Sequence, residues 1–297
     1  MLDKNKIILG IAPIGWTNDA DQNLGGDITF EQCISEMALA GFTGCEVGVK
    51  FPRDTDLLKK KLEIRGLQVV NLWTTLKLIE DYAWSEENLR TNAKFLKEMG
   101  AKVIGVADCS YRPANGGDYS PSGRFIMNDE QWKVFCEGLN AMGKIALEEY
   151  GLKLCFHHHC GTCVETEEEI DRMMANTNPK YVSLLFDSGH LDVLGFDPAV
   201  TCRKHIDRIG HVHLKSVRYD VANNIKQEGI CLRKSIAMNI YTVPGDGNTE
   251  FKEIAKILSD ANYEGVILVE AEQDPAISNP FEMAVTARNY IKEVFNL

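Results

Sequence analysis

A chain of 297 residues with 32 Lys and Arg against 43 Asp and Glu carries a net charge of −11, which argues against a nucleic-acid binder, because phosphate contacts need a basic surface. Hydrophobic residues at 44% and charged residues at 25% form the mixture of a globular protein and exclude disorder and collagen-like repetition. No apolar run approaches the ~20 residues of a membrane helix, and no cleavable leader precedes the first apolar segment. With nine cysteines, an odd number scattered along a long chain and read as reduced thiols, these features predict a cytoplasmic protein that partners neither membranes nor nucleic acid.

The predicted elements alternate between short β-rich runs and longer helical patterns. A strand over 7–14 precedes a helix over 30–40, and a strand over 44–49 precedes a helix over 56–65. Strands over 67–72 and 102–107 are followed by helices over 86–99 and 129–150. Strands over 152–157, 182–186 and 209–214 lead to helices over 167–175, 198–205 and 250–261. A strand over 266–271 and a helix over 280–295 complete eight units. Gly41, Gly66, Gly100 and Gly151 stand where helices must stop before the next strand.

Strict β/α alternation implies a parallel sheet. Eight units in a chain of this length predict a single (β/α)8 TIM barrel over residues 1–297, acting as one catalytic domain. An open doubly wound sheet is the competing fold, but residues 10–15 do not form the glycine-rich phosphate loop such sheets carry after their first strand. Two connections are long, 109–128 and 216–249, and structureless segments of that length read as lids or binding loops.

In such barrels, polar residues at the C-terminal ends of strands meet on one face. The fifth strand ends in His157-His158-His159, the sixth in Asp187-Ser188-Gly189-His190, the seventh in His211-Val212-His213 and the eighth in Glu270-Ala271-Glu272. Alternation puts His211 and His213 on one face, and likewise Glu270 and Glu272. Four successive strands therefore offer imidazole and carboxylate to one point, a set suited to Mn2+, Co2+, Zn2+ or Fe2+ and not to oxygen-seeking Ca2+. Glu46 and Lys50 end the second strand and could hold hydroxyls and neutralise an enolate. Trp16, Trp73 and Tyr111 could offer flat faces to a ring, and Asn18 and Asp19 could bind hydroxyls. Cys160-Gly161-Thr162-Cys163 is a C-x-x-C pair, readable as redox thiols, half of a zinc site, or thiols incidental to the site.

These residues resemble the xylose-isomerase-like sugar isomerase/epimerase superfamily. The segments Gly10-Ile11-Ala12-Pro13-Ile14-Gly15-Trp16-Thr17-Asn18-Asp19, Lys50-Phe51-Pro52-Arg53, Val243-Pro244-Gly245-Asp246-Gly247 and Glu270-Ala271-Glu272-Gln273-Asp274-Pro275 resemble the inosose dehydratases within it. The resemblance implies dehydration of 2-keto-myo-inositol (scyllo-inosose) in inositol catabolism, with Mn2+ or Co2+ and with glutathione. It places metal ligands at Asp187, His213 and Glu270. The fourth falls on His157, where most relatives carry Glu, with His159 and Glu165 as alternatives. Dehydrating a hydroxy ketone needs a base at the α-carbon and an acid for the departing hydroxide. His190, three residues beyond Asp187, is the expected acid or base, with Lys50 and Glu272 as further catalytic candidates. Trp16, Asn18, Asp19, Glu46, Trp73 and His159 are the expected substrate contacts. The competing readings are an isomerase or epimerase using the same enediolate, and a non-catalytic polyol-binding protein. The expected partner is a small polyol ketone, and a homo-oligomer is compatible with either reading.

Overall fold

The computed structural model describes residues 2–18, 21, 23–113 and 123–297. Asp19 and the middle of the 109–128 connection therefore lie outside the described residues. The staves are Ile7–Ile11 (β1), Gly44–Val47 (β2), Gln68–Leu72 (β3), Val103–Asp108 (β4), Lys153–His157 (β5), Val182–Asp187 (β6), Ile209–Leu214 (β7) and Gly265–Val269 (β8). All pair in parallel with their chain neighbours, and β1 pairs with β8 to close the ring. The third stave is broken. It pairs with β2 over Gln68–Leu72, is interrupted at Trp73, and resumes as Thr74–Leu76 to pair with β4. Nine strand segments thus make an eight-stave TIM barrel.

Local chemistry sets most boundaries. The first strand stops at Ile11, short of the predicted 14, because Pro13 lacks an N–H and opens a 3-10 turn over Pro13–Gly15. The helix Asp129–Tyr150 starts on a capping box between Asn128 and Gln131 and stops at Gly151, whose φ of 73° is the left-handed conformation glycine adopts without strain. The third helix begins at Tyr82, four residues earlier than predicted, because the Asp81 side chain accepts the Trp84 N–H. Among the described residues, no helix is long and apolar enough to cross a membrane.

The 216–249 connection is not structureless. It holds helices Tyr219–Glu228 and Leu232–Ala237, and a two-stranded antiparallel ribbon in which Ser216–Val217 pairs with Tyr241–Thr242. Val217, Ala222, Ile225, Leu232, Ile240 and Tyr241 form an apolar cluster apart from the main core, closed against Cys160 and Val193.

Strand parity aims the site. Inside the barrel, Val266 and Leu268 pack with Val70 and Ala12, while Cys155 and Leu185 pack with Val103. Side chains two residues on point the same way. The inward rows therefore continue from Cys155 to His157, from Leu185 to Asp187, and from Leu268 to Glu270 and Glu272. Register does the rest: His213 lies opposite Asp187 on one neighbour and Leu268 on the other.

Candidate metal centre and active-site cavity

Asp187 is the hub. Its Oδ1 accepts the backbone N–H groups of Gly189, at 2.8 Å, and His190, at 3.1 Å, capping the short helix Ser188–Asp192. Its Oδ2 stays on the interior side, 3.3 Å from His157 Nε2 and 3.7 Å from His213 Nδ1. His213 Nδ1 is also 2.9 Å from Glu270 Oε2, yet it makes no aligned hydrogen bond to either carboxylate. His211 Nε2, at 3.0 Å from His213 Nε2, orients the ring from behind. Burial works against a charged His213, but Glu270 beside it, with Asp187 and Glu46, outweighs burial and raises its pKa to about 10.

Such a ring, facing two carboxylates without a hydrogen bond to them, is the arrangement of a ligand set. His157, Asp187 and His213 can bring ligand atoms within 4.8 Å of one another, as can Asp187, His190 and Glu270, and also His159, His190 and Glu272. Two imidazoles with two carboxylates suit a borderline divalent ion. The charge fits as well, since Asp187, Glu270 and Glu272 are buried beside one buried cation.

That cation is Lys215, which the sequence reading gave no role. Its ammonium donates to Glu270 Oε1 at 2.6 Å, Glu272 Oε1 at 3.0 Å and His190 Nε2 at 3.1 Å. Asp187 Oδ2 is 3.5 Å away and the Tyr241 ring lies 5.0 Å from Nζ. The signal for it was present: 211, 213 and 215 share one strand face. Gly189 makes room for its stem, because a Cβ there would stand 2.5 Å from Lys215 Cγ. Ser188 Oγ fixes its backbone, accepting the Lys215 N–H at 3.0 Å and donating to its carbonyl at 2.8 Å. Burial disfavours the ammonium, but Asp187, Glu270 and Glu272 hold its pKa well above the ordinary lysine value.

Above this floor lies a cavity of about 430 Å³, lined by Glu46, Trp73, His159, Tyr241, Glu270 and Glu272, with Asn18 and Arg112 at its wall and Leu232 and Ile236 among its apolar residues. Glu46 is held by Asn71, whose Nδ2 donates at 2.8 Å and whose Oδ1 accepts from the Gly105 N–H at 2.7 Å. The His159 Nδ1–H donates to the Cys160 carbonyl at 2.7 Å, leaving Nε2 as an acceptor. Trp73 sets its ring edge-on to His157 and His159, both at 5.6 Å. His190 is packed 3.8 Å ring to ring behind His159 and does not line the cavity. Burial, His159 and Lys215 keep it neutral, with a pKa well below the ordinary histidine value.

Several expected residues lie elsewhere. Lys50 does not reach the site: its ammonium donates to the carbonyls of Gly25 at 2.9 Å, Gly26 at 2.9 Å and Ile28 at 2.5 Å, tying down the loop after β1. Lys50→Met is therefore expected to cost about 1–3 kcal/mol in a urea melt and to leave kcat and metal content unchanged. A collapse of kcat at unaltered stability would return Lys50 to the chemistry. Trp16 is buried in the main core with its Nε1–H donating to Glu36 at 2.5 Å, so it presents no face to the cavity. Tyr111 packs against Phe125 with the rings tilted and their centroids 4.8 Å apart, also outside the cavity. Glu165 is paired with Arg124 at 2.7 Å and accepts the Gly161 N–H at 2.7 Å, which removes it as an alternative ligand. The Cys160 and Cys163 thiols are free and point to different partners, the carbonyls of His190 and Asp108, so they form neither a disulfide nor a zinc half-site.

The family model for xylose isomerase-like TIM barrels matches residues 34–294. An inosose dehydratase of Geobacillus thermodenitrificans is 49% identical over 300 residues, covering 100% of both chains. One of Clostridium beijerinckii is 48% identical over 99% of both chains. The crystal structure of IOLI protein with a bound zinc atom superposes with a TM-score of 0.71 at 15% identity, over 97% of this chain and 98% of that one.

Proposed function

The chain belongs to the inosose dehydratases of the xylose isomerase-like TIM-barrel family and is a hydro-lyase; from that premise we propose that it removes water from 2-keto-myo-inositol (scyllo-inosose) to give a trihydroxycyclohexanedione in inositol catabolism. The observation that carries this reading is the convergence of His157, Asp187, His213 and Glu270 beneath a cavity walled by further carboxylates. We assign those four as the ligands of one Mn2+ or Co2+ ion, Zn2+ and Fe2+ being chemically admissible. Bound there, such an ion would supply Lewis-acid chemistry that stabilises the negative charge developing on the substrate oxygen.

The residues around it divide the remaining work. Glu272 faces the cavity and is the base at the α-carbon; burial raises its pKa despite the nearby Lys215, which suits a group that must accept a proton. Glu46, held by Asn71, accepts ring hydroxyls, as do Asn18 and the bare Nε2 of His159. Trp73 covers one face of the ring. His190, one layer behind the wall, stores a proton for the departing hydroxide. Asp19 is proposed as a substrate contact on resemblance alone. Free cysteines throughout support a reducing, cytoplasmic setting, with glutathione as the accompanying thiol.

The deciding experiment is turnover of scyllo-inosose by chelator-treated protein, before and after Mn2+ or Co2+ is restored. The expected product is lighter than substrate by one water, formed only with the ion present. An isomer of unchanged mass would mark an epimerase, and full turnover in metal-free protein would remove the assigned role of the ligand set.

A further inference from the structure

We infer that Arg112 orients the substrate: its guanidinium donates hydrogen bonds to ring oxygens on the side of the keto-polyol that faces away from Glu270 and Glu272. The assignment rests on the dehydratase reading above for its substrate, and goes beyond it by naming the residue that decides which way round the ring lies.

Topology sets its position. The staves follow one another around the ring from β1 to β8, so β4 and β8 stand on opposite sides of it. Arg112 comes just after β4 and lines the cavity, while Glu270 and Glu272 line it from the end of β8. Among the described residues of that lining, Arg112 carries the only permanent positive charge, and Glu46, Glu270 and Glu272 supply the carboxylates. A guanidinium has no acceptor and cannot lose its charge, so it offers five N–H donors in a rigid fork. A ring bearing oxygens all round its edge thus meets donors on one wall and carboxylate oxygens across the cavity, and the two walls are not interchangeable.

The guanidinium is seated without being consumed. The Arg112 N–H closes a turn onto the Cys109 carbonyl at 3.1 Å, and Tyr111 within that turn takes φ 52°, a left-handed conformation that is costly for a residue with a side chain. Arg112 Nη2 donates to the Cys160 carbonyl at 3.4 Å, and the Cys109 thiol lies beside the group. The turn that presents this carbonyl is itself pinned: Arg124 donates to the Thr162 carbonyl at 3.3 Å and pairs with Glu165, which accepts the Gly161 N–H. Two other arginines show what a purely structural guanidinium does in this chain. Arg124 meets Glu165, Glu169 and the Thr162 carbonyl, and Arg208 meets Thr177 and the carbonyls of Met174 and Val182. Among the described residues, Arg112 meets one carbonyl oxygen, and that one at long range. A strained turn that brings a half-used fork to the cavity wall suits a side chain whose remaining partners arrive with the substrate.

The test compares Arg112→Met and Arg112→Lys with wild type in the metal-loaded full chain, on scyllo-inosose and on analogues that each lack one ring hydroxyl. Expected for Arg112→Met are unchanged metal content and thermal midpoint, with KM raised about 10–100-fold, the worth of hydrogen bonds from a charged donor. Its kcat should stay within a few-fold of wild type, because contacts remote from the reacting atoms hold ground state and transition state alike. Arg112→Lys keeps a charged donor without the fork and should recover part of the loss. The decisive readout is pairwise. In the wild type, removing a hydroxyl remote from the ketone should raise KM by a similar factor, and in Arg112→Met the same removal should cost little more. Penalties that are equal in both proteins for every analogue, or an Arg112→Met KM close to that of wild type, overturn the proposal. Should Arg112→Met lower the thermal midpoint, Arg112→Lys against the same analogues carries the comparison. Calorimetric titration with scyllo-inosose reads the same losses as Kd, without turnover. A wild type that binds the ring yet never releases water would therefore overturn the dehydratase reading, while the role of Arg112 stands or falls on the affinities.

Discussion

Asp187→Asn keeps the protein folded and abolishes metal binding and turnover together. The amide oxygen can still accept the Gly189 and His190 N–H groups, so the start of Ser188–Asp192 stays capped. What disappears is the charge of Oδ2, the atom lying 3.3 Å from His157 and 3.7 Å from His213. Partners one layer behind a ligand are already worth about 10–100-fold in affinity or activity, so a ligand at the hub is expected to exceed that. Asp187→Ala should add the loss of the cap, about 1 kcal/mol, which separates the two functions of one side chain. Metal analysis after gel filtration, paired with a urea melt, reads both. An Asp187→Asn protein that retains stoichiometric metal removes Asp187 from the ligand set.

Lys215→Met has the largest expected effect on stability. It leaves Glu270 and Glu272 buried without the ammonium to which both are bonded, and stranding buried charges by removing one partner costs about 3–5 kcal/mol. The pH dependence fixes the cause. In the wild type, burial tends to raise the Glu270 pKa, but Lys215 and His213 more than offset it and hold the carboxyl well below the ordinary range. A carboxyl depressed in the folded state contributes stability that is lost as pH falls through its titration. Without the ammonium, the same carboxyls are raised, and a raised group favours the folded state at low pH and loses that contribution as pH rises. The deficit of Lys215→Met should therefore be large at about pH 8 and shrink towards about pH 5. Urea melts of metal-free wild type and variant at both pH values measure it. A deficit that does not change with pH would mean that packing of the lysine stem, and not its charge, is what the barrel needs.

The barrel was legible because its signals are local: apolar runs alternating with helical periods, and glycines stopping helices, with φ of 91° at Gly41 and 73° at Gly151. The helices of the 216–249 insertion were not legible, since neither Tyr219–Glu228 nor Leu232–Ala237 has a side-chain cap at its start. Nor was the resumed strand Thr74–Leu76, whose pairing with β4 depends on a stave break that the sequence does not mark. At the site, strand ends and parity predicted that four successive strands offer imidazole and carboxylate to one point, and the family resemblance singled out His157, Asp187, His213 and Glu270 among them. Extending the same parity by one step would have found Lys215. The misplacement of Lys50 has a different origin: its partners are backbone carbonyls of another loop, and backbone acceptors leave no trace in a sequence. Tyr241 escaped for a related reason, reaching the cavity from a two-residue strand far along the chain.

The insertion meets the barrel through the narrow pairing of Ser216–Val217 with Tyr241–Thr242, carries its own apolar cluster, and contributes Leu232 and Ile236 to the cavity. Such a construction separates two evolutionary tasks. The ceiling can be exchanged between relatives as a cassette, changing which ring is admitted, while the electrostatics of the floor are inherited unaltered. The neck is less free to change, because Tyr241 within it both lines the cavity and lays its ring over Lys215.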